Sequence, residues 1–171
     1  MKHLQAAVAE FVDQAPQSDD LTMLFIHFLG KTGEHTEKRQ LELHNDIQQI
    51  DKLTEFIDAI ATDKGLDPSL TMSLNLAMEE AVSNVILYAY PEGTDGIVDV
   101  DAILHDDRLV FIISDSGKAF DPTQKEAADI TLGVEERRIG GLGILMVKNI
   151  MDKVAYRRDK NKNILLLTKY I

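Results

Sequence analysis

The apolar residues of this chain change their spacing near residue 96, and that change restricts the fold more than any other feature of the sequence. Before it they recur every three or four residues, as on one side of a helix. Asn45 is a suitable N-cap for the first helix, Gly65 ends it, and Asp67-Pro68 begins a second helix that runs to about Ala89. The first helix is expected to bury one stripe, formed by Ile47, Ile50, Leu53, Ile57 and Ile60.

After residue 96 the apolar residues alternate with polar ones, which predicts strands. Ile97–Leu104 and Leu109–Ile113 form a hairpin, Val154–Arg158 and Ile164–Tyr170 form another, and Arg39–Leu43 is a further strand. The apolar side of the first hairpin strand carries Val98, Val100, Ala102 and Leu104. This order of elements favours an α+β fold, a two-layer α/β sandwich with its helices on one face of a mixed, mostly antiparallel sheet.

The N-terminal part of the chain is organised differently. Residues 4–12 predict a short helix and Leu21–Leu29 a strand, whereas residues 30–37, with two glycines and no apolar anchor, resemble a linker. The sequence therefore predicts an N-terminal helix-strand appendage, residues 1–33, and a larger domain, residues 34–171.

The charge and composition exclude several classes of function. A net charge of −11 disfavours binding to nucleic acid or to an anionic membrane. The absence of cysteine excludes disulfides, thiolate metal sites and cysteine nucleophiles. No apolar run approaches the roughly 20 residues of a membrane span, and the N-terminus lacks a secretory pattern. A cytoplasmic location is the expectation.

Glu80 and Asn84 lie four residues apart in the second predicted helix, on the same side. Their neighbours Ala77, Ala81 and Tyr88 are expected to be largely buried, so both side chains need polar partners. An Asn oxygen suits a hard divalent cation that also binds phosphate oxygens, and a Glu carboxylate can accept a proton from an attacking hydroxyl. A hydrogen-bonded polar pair packed against the sheet explains the same spacing, and it is the more frequent case.

Asp115-Ser116-Gly117 follows directly after an apolar strand. A carboxylate at that point can lie at the mouth of a pocket and accept a hydrogen bond from an amino group, such as the exocyclic amine of adenine. Glycine lets the backbone pass close to a flat ligand. The alternative is an Asx turn that closes the strand.

Three glycines, Gly140, Gly141 and Gly143, precede or open a helix predicted for residues 142–151. Glycine is a poor helix former, but exposed backbone N–H groups at a helix N-terminus can hold phosphate. The spacing matches neither the Rossmann fingerprint nor a P-loop. A flexible hinge is the alternative interpretation.

The order of these motifs carries more information than any one of them. The segments are EAVSN ending at Asn84, DSGKAFDP beginning at Asp115, ERRIGGLG ending at Gly143 and NIMDKVAY beginning at Asn149. In this order they resemble the Bergerat ATP-binding fold of the GHKL superfamily, which includes gyrase, heat-shock chaperones and histidine kinases. They are most similar to the anti-sigma-factor serine-protein kinases, and the resemblance covers residues 38–171.

The resemblance implies a role for each matching residue in binding Mg-ATP. Asn84 would be the Mg²⁺ ligand and Glu80 the catalytic base that orients the substrate hydroxyl. Asp115 would bind the adenine amine, and Gly117 would line the adenine pocket.

The phosphates would be held at the start of the third helix. Its glycine-rich segment, Gly140, Gly141, Leu142 and Gly143, would surround them, and residues 120–140 would form a lid over the nucleotide. Either Arg137 or Arg138 would reach the terminal phosphate, and the spacing does not decide between them. The alternative for both is a solvated charge on the lid.

The sequence departs from the family pattern at two places. Tyr88 stands where many relatives have histidine. The late Gly-Thr pair that supports the adenine pocket is replaced by Lys162-Asn163-Ile164, in which Asn163 is able to supply part of the missing hydrogen bonding.

The segment from Gln17 to Phe28 has a resemblance of its own. It is similar to the final strand of metal-dependent serine/threonine phosphatases, where the acid matching Asp19 is a metal ligand. Local packing of a helix and a strand is the alternative, and no phosphatase activity is expected because the rest of that domain is missing.

The resemblance predicts a serine/threonine protein kinase that acts on a STAS-type anti-anti-sigma protein and that also binds a sigma factor or a similar regulator. Because relatives often dimerise, a homodimer is a further expectation. Two alternatives remain: a nucleotide-dependent protein-binding module without phosphotransfer, and a general ATPase, which the absence of a transducer domain disfavours.

Overall fold

The computed structural model describes residues 36–124 and 142–171, without the Leu142 side chain. The chain divides into two units, Met1–Thr32 and Gly33–Ile171, and the description below concerns the second unit by itself. The predicted helix at residues 4–12, the strand Leu21–Leu29 and the phosphatase-like segment lie outside the described residues.

The sheet has five strands, and the pairings between the described strands are all antiparallel. Its order is β1-β2-β3-β5-β4, so the last hairpin adds to β3 through its second strand. The strands are β1 Glu37–His44, β2 Ile97–Leu104, β3 Arg108–Asp115, β4 Lys153–Asp159 and β5 Lys162–Tyr170.

Three α-helices accompany the sheet: α1 Ile50–Lys64, α2 Pro68–Tyr88 and α3 Leu142–Ile150. The middle helix, α2, contacts both of the others. Short 3₁₀ turns at Ile47–Gln49 and Pro122–Gln124 flank the helical layer.

One face of the sheet and the inner sides of the helices form the core. Every second residue of β2 and β3 is buried, as the alternation predicted. The largest fully buried side chains come from both layers and include Phe111, Leu104, Leu53, Ile57, Leu74 and Met78. The two-layer α+β sandwich predicted from the sequence is therefore confirmed.

The ends of the long helices agree with the sequence analysis. Gly65 has a φ of 61°, the left-handed conformation that ends α1. The Asp67 carboxylate accepts a hydrogen bond of 2.8 Å from the Ser69 N–H, with Pro68 in the first turn of α2. The helix ends at Tyr88, close to the predicted Ala89.

The predicted start of α1 was wrong. Asn45 is not an N-cap, because its side chain links the end of β1 to the segment before β2: it accepts from the Gly96 N–H at 2.8 Å and donates to the Thr94 carbonyl at 2.7 Å. Asp46 caps the 3₁₀ turn instead, by accepting from the Gln48 N–H. Ile47 lies in that turn and is 49% exposed, so it does not belong to the buried stripe.

Among the residues that the structure describes, none of the helices is long and apolar enough to cross a membrane.

Candidate functional site

A cavity of about 320 Å³ lies between α2, α3 and the ends of β3 and β5. This volume is within the range of small-molecule sites. Its lining is mainly apolar, with a few polar side chains: Asn84, Tyr88, Asp115, Lys118, Tyr156 and Asn163. Two of these six, Asn84 and Asp115, are predicted site residues.

Glu80 and Asn84 lie next to each other on α2, as their spacing predicted. The Asn84 Nδ2 atom donates to the Glu80 backbone carbonyl at 2.5 Å, which fixes the amide and leaves its oxygen free to bind a ligand. None of the hydrogen bonds of the described residues uses the Glu80 carboxylate. Within the described part of the chain the two side chains therefore do not form a closed polar pair, because none of its donors uses the acceptor atoms of either side chain.

The first turn of α3 lies directly against this pair. A Cβ atom at Gly143 would overlap the Glu80 Oε2 atom and would lie 3.5 Å from the Asn84 Nδ2 atom. The backbone N–H groups of a first helical turn have no partner inside the helix, and they favour anions. The fold thus brings together the acid, the amide and the glycine-rich helix start, although Gly140, Gly141, Arg137 and Arg138 lie outside the described residues.

Asp115 lies at the opposite end of the cavity, at the end of β3, and is only 5% exposed. Its Oδ1 atom accepts from the Gly117 N–H at 2.8 Å, which is the geometry of an Asx turn. The same carboxylate also lines the cavity. The Asx turn and the carboxylate at a pocket are therefore compatible interpretations of Asp115, because the turn uses one of its two oxygens.

Gly117 is required by the approach of two backbone segments. A Cβ atom there would lie 2.7 Å from the Ala89 carbonyl carbon and would overlap its oxygen. The Lys118 N–H donates to the same Ala89 carbonyl at 2.9 Å. The end of α2 is therefore bonded to the loop that carries Asp115, which leaves no room for a side chain at residue 117.

Asn163 is the site residue whose importance the sequence analysis understated. It is 6% exposed, pairs with Asp115 across β5 and β3, and donates to the Asp115 Oδ1 atom at 2.8 Å. The sequence signal was an amide at an inward position of a strand whose next inward residues are Leu165 and Leu167. Tyr156, the last residue of the NIMDKVAY segment, and Arg158, which no motif included, both donate to the Asn163 oxygen.

The 3₁₀ turn Pro122–Gln124, at the edge of the cavity, is held by hydrogen bonds to Asp121 and to Lys148. Burial raises the pKa of Asp121, but hydrogen bonds from Thr123 and Gln124 outweigh it, so its pKa is below the usual value. The Lys148 ammonium of α3 donates to the Thr123 carbonyl at 2.9 Å. The 3₁₀ turn is thereby attached to the helix that borders the site.

The described residues contain no cluster of three acidic or histidine side chains that could hold a metal ion. Mg²⁺ does not need one, because it commonly binds through one or two protein oxygens together with substrate phosphates and water. The side chain of Asn84 lies near the first turn of α3, and its oxygen accepts no hydrogen bond from the described residues, which fits such a partial ligand set.

The fold and the cavity together define a class of protein. A sheet covered on one face by helices, with a mainly apolar cavity lined by a buried acid and bordered by the helix start at Gly143, is the architecture of a two-layer α/β sandwich with a small-molecule site.

Comparison with known proteins gives the family. A family model described as the histidine kinase-like ATPase domain matches residues 43–169. A serine-protein kinase RsbW of Listeria monocytogenes is 31% identical over 119 residues, which cover 67% of this chain and 75% of the relative. The RsbW of Halalkalibacterium halodurans is 30% identical over 122 residues, covering 67% and 72%.

A similar solved structure is the histidine kinase domain of the Erythrobacter litoralis EL346 blue-light activated histidine kinase. It has a TM-score of 0.48 and 12% sequence identity, and the match covers 72% of this chain and 63% of the other.

The chain belongs to the histidine kinase-like ATPase domain family, and within it to the GHKL-type serine-protein kinases that include the anti-sigma-factor kinases. The family predicted from the order of the motifs is thereby confirmed.

Proposed function

We propose that this protein uses Mg-ATP to phosphorylate a serine or threonine of a STAS-type anti-anti-sigma protein, and that it also holds a sigma factor or a similar regulator inactive. The observation that supports the proposal is the contact between Glu80 and Gly143, because the Glu80 carboxylate, which has no hydrogen-bond partner in the described part of the chain, lies at a helix start suited to phosphate.

At the base end of the cavity, Asp115 would accept a hydrogen bond from the exocyclic amine of adenine. Gly117 would let the ring approach the backbone. The buried position of Asp115 supports this role, because a buried carboxylate in a mainly apolar cavity needs a donor for each oxygen.

At the phosphate end, the backbone of the glycine-rich segment would bind the β- and γ-phosphates: Gly140, Gly141, Leu142 and Gly143. Arg138 would contact the terminal phosphate, where a guanidinium stabilises the charge that develops during transfer. Asn84 would hold Mg²⁺ through its side-chain oxygen, and the ion would neutralise part of the phosphate charge.

Glu80 would act on the incoming hydroxyl. Its carboxylate accepts the hydroxyl proton as the oxygen forms a bond to the γ-phosphorus. The bond from that phosphorus to the β–γ bridging oxygen breaks, and ADP leaves with the electron pair. A base with no partner among the described residues can accept that proton without first breaking a bond.

The partner assignment follows from the family. The relatives are named serine-protein kinases, and the motifs are most similar to the kinases that regulate sigma factors. The proposal also includes a homodimer and a cytoplasmic location. It includes no binding to nucleic acid, in line with the net charge of −11. It assigns the kinase activity to residues 34–171 and leaves the N-terminal appendage, residues 1–33, as a prediction.

Incubation with radiolabelled Mg-ATP and a panel of STAS proteins tests the proposal. We expect acid-stable label on a serine or threonine of a matching partner, and no label when Mg²⁺ is chelated. If ADP binds by calorimetry but no partner in the panel becomes labelled, the kinase part of the proposal is wrong.

A further inference from the structure

A network of side-chain hydrogen bonds lies beside Asp115 and is centred on Asn163. The Asn163 Nδ2 atom donates to the Asp115 Oδ1 atom at 2.8 Å and to the Lys118 carbonyl at 2.9 Å. Its Oδ1 atom accepts from the Tyr156 hydroxyl at 2.7 Å and from the Arg158 Nη1 atom at 2.6 Å. Every hydrogen-bonding position of this amide is used.

These partners also fix the orientation of the amide. A flipped Asn163 would turn its N–H groups toward the hydroxyl and the guanidinium and its oxygen toward a carboxylate and a carbonyl. The guanidinium of Arg158 additionally donates to the Gly117 carbonyl at 3.3 and 3.4 Å. The network therefore holds three residues of the loop at the proposed base site: Asp115, Gly117 and Lys118.

The two oxygens of Asp115 are left in different states. Oδ1 accepts two hydrogen bonds, from the Gly117 N–H and from Asn163. Oδ2 accepts no hydrogen bond from the described residues. Among those residues, the buried side-chain atoms without a partner belong to Asn75 and His105, so Oδ2 is not one of them. Because Asp115 lines the cavity, the free oxygen is accessible from the cavity.

We propose that Asn163 is a positioning residue for nucleotide selection: it occupies one oxygen of Asp115 so that the other faces the base as a pure hydrogen-bond acceptor. This inference rests on the proposed nucleotide site. In this protein the Asn163 amide would take the supporting role of the Gly-Thr pair of the resembling family. Tyr156 and Arg158 hold that amide in place.

The consequence is selection of the base by its exocyclic group. A fixed carboxylate oxygen accepts from the 6-amino group of a purine, whereas the 6-oxo group of hypoxanthine would oppose it with lone pairs. Without Asn163, Asp115 can rotate about its side-chain bonds, and water can enter beside it. Discrimination between the two bases then decreases along with affinity.

The test compares the dissociation constants of ADP and inosine diphosphate, measured by calorimetry for the unchanged protein and for Asn163→Ala. We expect ADP to bind about tenfold or more weakly in the variant, and the ratio of the two constants to decrease by a similar factor. Asn163→Thr, which restores one donor, should give intermediate values.

Asn75→Ala is the matched control. Asn75 donates to the Asp58 Oδ1 atom at 2.7 Å, so its loss also removes an Asn–Asp bond, but between α1 and α2 and away from this cavity. We expect it to leave both dissociation constants unchanged. Thermal unfolding of each variant, with and without ADP, monitors folding.

A general loss of structure in Asn163→Ala would weaken both nucleotides by the same factor, and an unchanged ratio would overturn the inference. So would an ADP affinity equal to that of the control. If the unchanged protein binds neither nucleotide, the proposed function is wrong, and this inference is wrong with it.

Discussion

The two ends of the cavity are built in opposite ways. At the base end, Asp115 and the loop after it are bonded to α2, β4 and β5 through Ala89, Arg158 and Asn163. At the phosphate end, a hydrogen bond to the Glu80 backbone carbonyl orients the Asn84 side chain, and none of the hydrogen bonds of the described residues uses the Glu80 carboxylate. At the base end, hydrogen bonds within the protein use most of the polar groups. At the phosphate end, the Glu80 carboxylate and the Asn84 oxygen accept no hydrogen bond from the described residues.

This difference fits what each end is proposed to bind. An adenine ring is flat and offers a single exocyclic donor, so a fixed acceptor recognises it at a low entropic cost. Phosphate, a metal ion and an incoming hydroxyl need several oxygen and N–H groups, and these must not be occupied beforehand. The predictions below test whether the two ends can be perturbed separately.

Glu80→Ala should have the largest effect. We expect the rate of phosphotransfer to fall by about 10²–10⁴-fold, the usual contribution of a general base, with little change in ADP affinity. Single-turnover transfer and calorimetry measure the two quantities.

The matched control is Glu79→Ala. Its carboxylate accepts from the Thr54 hydroxyl at 3.0 Å on another side of α2, so transfer should persist. Transfer that is unaffected by loss of Glu80 would favour a nucleotide-dependent binding module over a kinase.

Asp115→Asn should act at the base end. Loss of a charge-assisted hydrogen bond, worth about 1.5–3 kcal/mol, should weaken ADP binding roughly ten- to a hundredfold. At saturating ATP, the transfer rate should change much less. Asp101→Asn, on the opposite face of the sheet where its carboxylate pairs with Lys38, is the control. Equal affinity in both variants would contradict the assignment of Asp115.

The two site glycines should respond differently to alanine. Gly117→Ala places a Cβ against the Ala89 backbone, so we expect a loss of about 1–3 kcal/mol in the free energy of unfolding. Gly143→Ala meets only the end of the Glu80 side chain, which can move, and alanine favours the helix by about 1 kcal/mol. Thermal unfolding and transfer assays compare them.

We therefore expect Gly143→Ala to remain stable but to transfer phosphate slowly, because its methyl group displaces the base. A lower unfolding temperature for Gly143→Ala than for Gly117→Ala would show that the phosphate end is the more constrained one, and it would reverse the comparison.

The smallest effect is expected outside both ends. A hydrogen bond of 2.7 Å from the Tyr170 N–H lowers the pKa of Asp152, with a further contribution from Lys169 and against the effect of burial. Since the pKa of the folded state lies below that of the unfolded state, the stabilisation is present above the unfolded pKa and is lost as the pH falls through the folded pKa.

Asp152→Asn should therefore destabilise the protein slightly at neutral pH and reduce the drop in unfolding temperature between about pH 5 and pH 2. Nucleotide affinity at neutral pH should not change. Asp106→Asn, an exposed residue of the turn between β2 and β3, serves as the control. A change in ADP affinity for either variant would mean that the effects of the site variants are not local.

Most of the fold could be predicted because its signals are local. The alternation in β2 and β3 depends on a period of two residues, and Gly65 and Asp67 mark helix ends through their own backbone and side chain. The start of α1 could not be predicted, because Asn45 forms its bonds with Thr94 and Gly96, about 50 residues later. A cap is identified from its immediate neighbours, and here a distant strand competes for the side chain.

The sequence by itself determined which groups are present and how each is presented locally. Helical spacing puts Glu80 and Asn84 on one side of α2, and the end of an apolar strand gives the position of Asp115. The tertiary structure decided the rest: Gly143 lies against Glu80, and Asn163 holds Asp115 from 48 residues away. These contacts depend on how the helices pack and on the register between β3 and β5. They are set by the burial of the whole core, which no local spacing encodes.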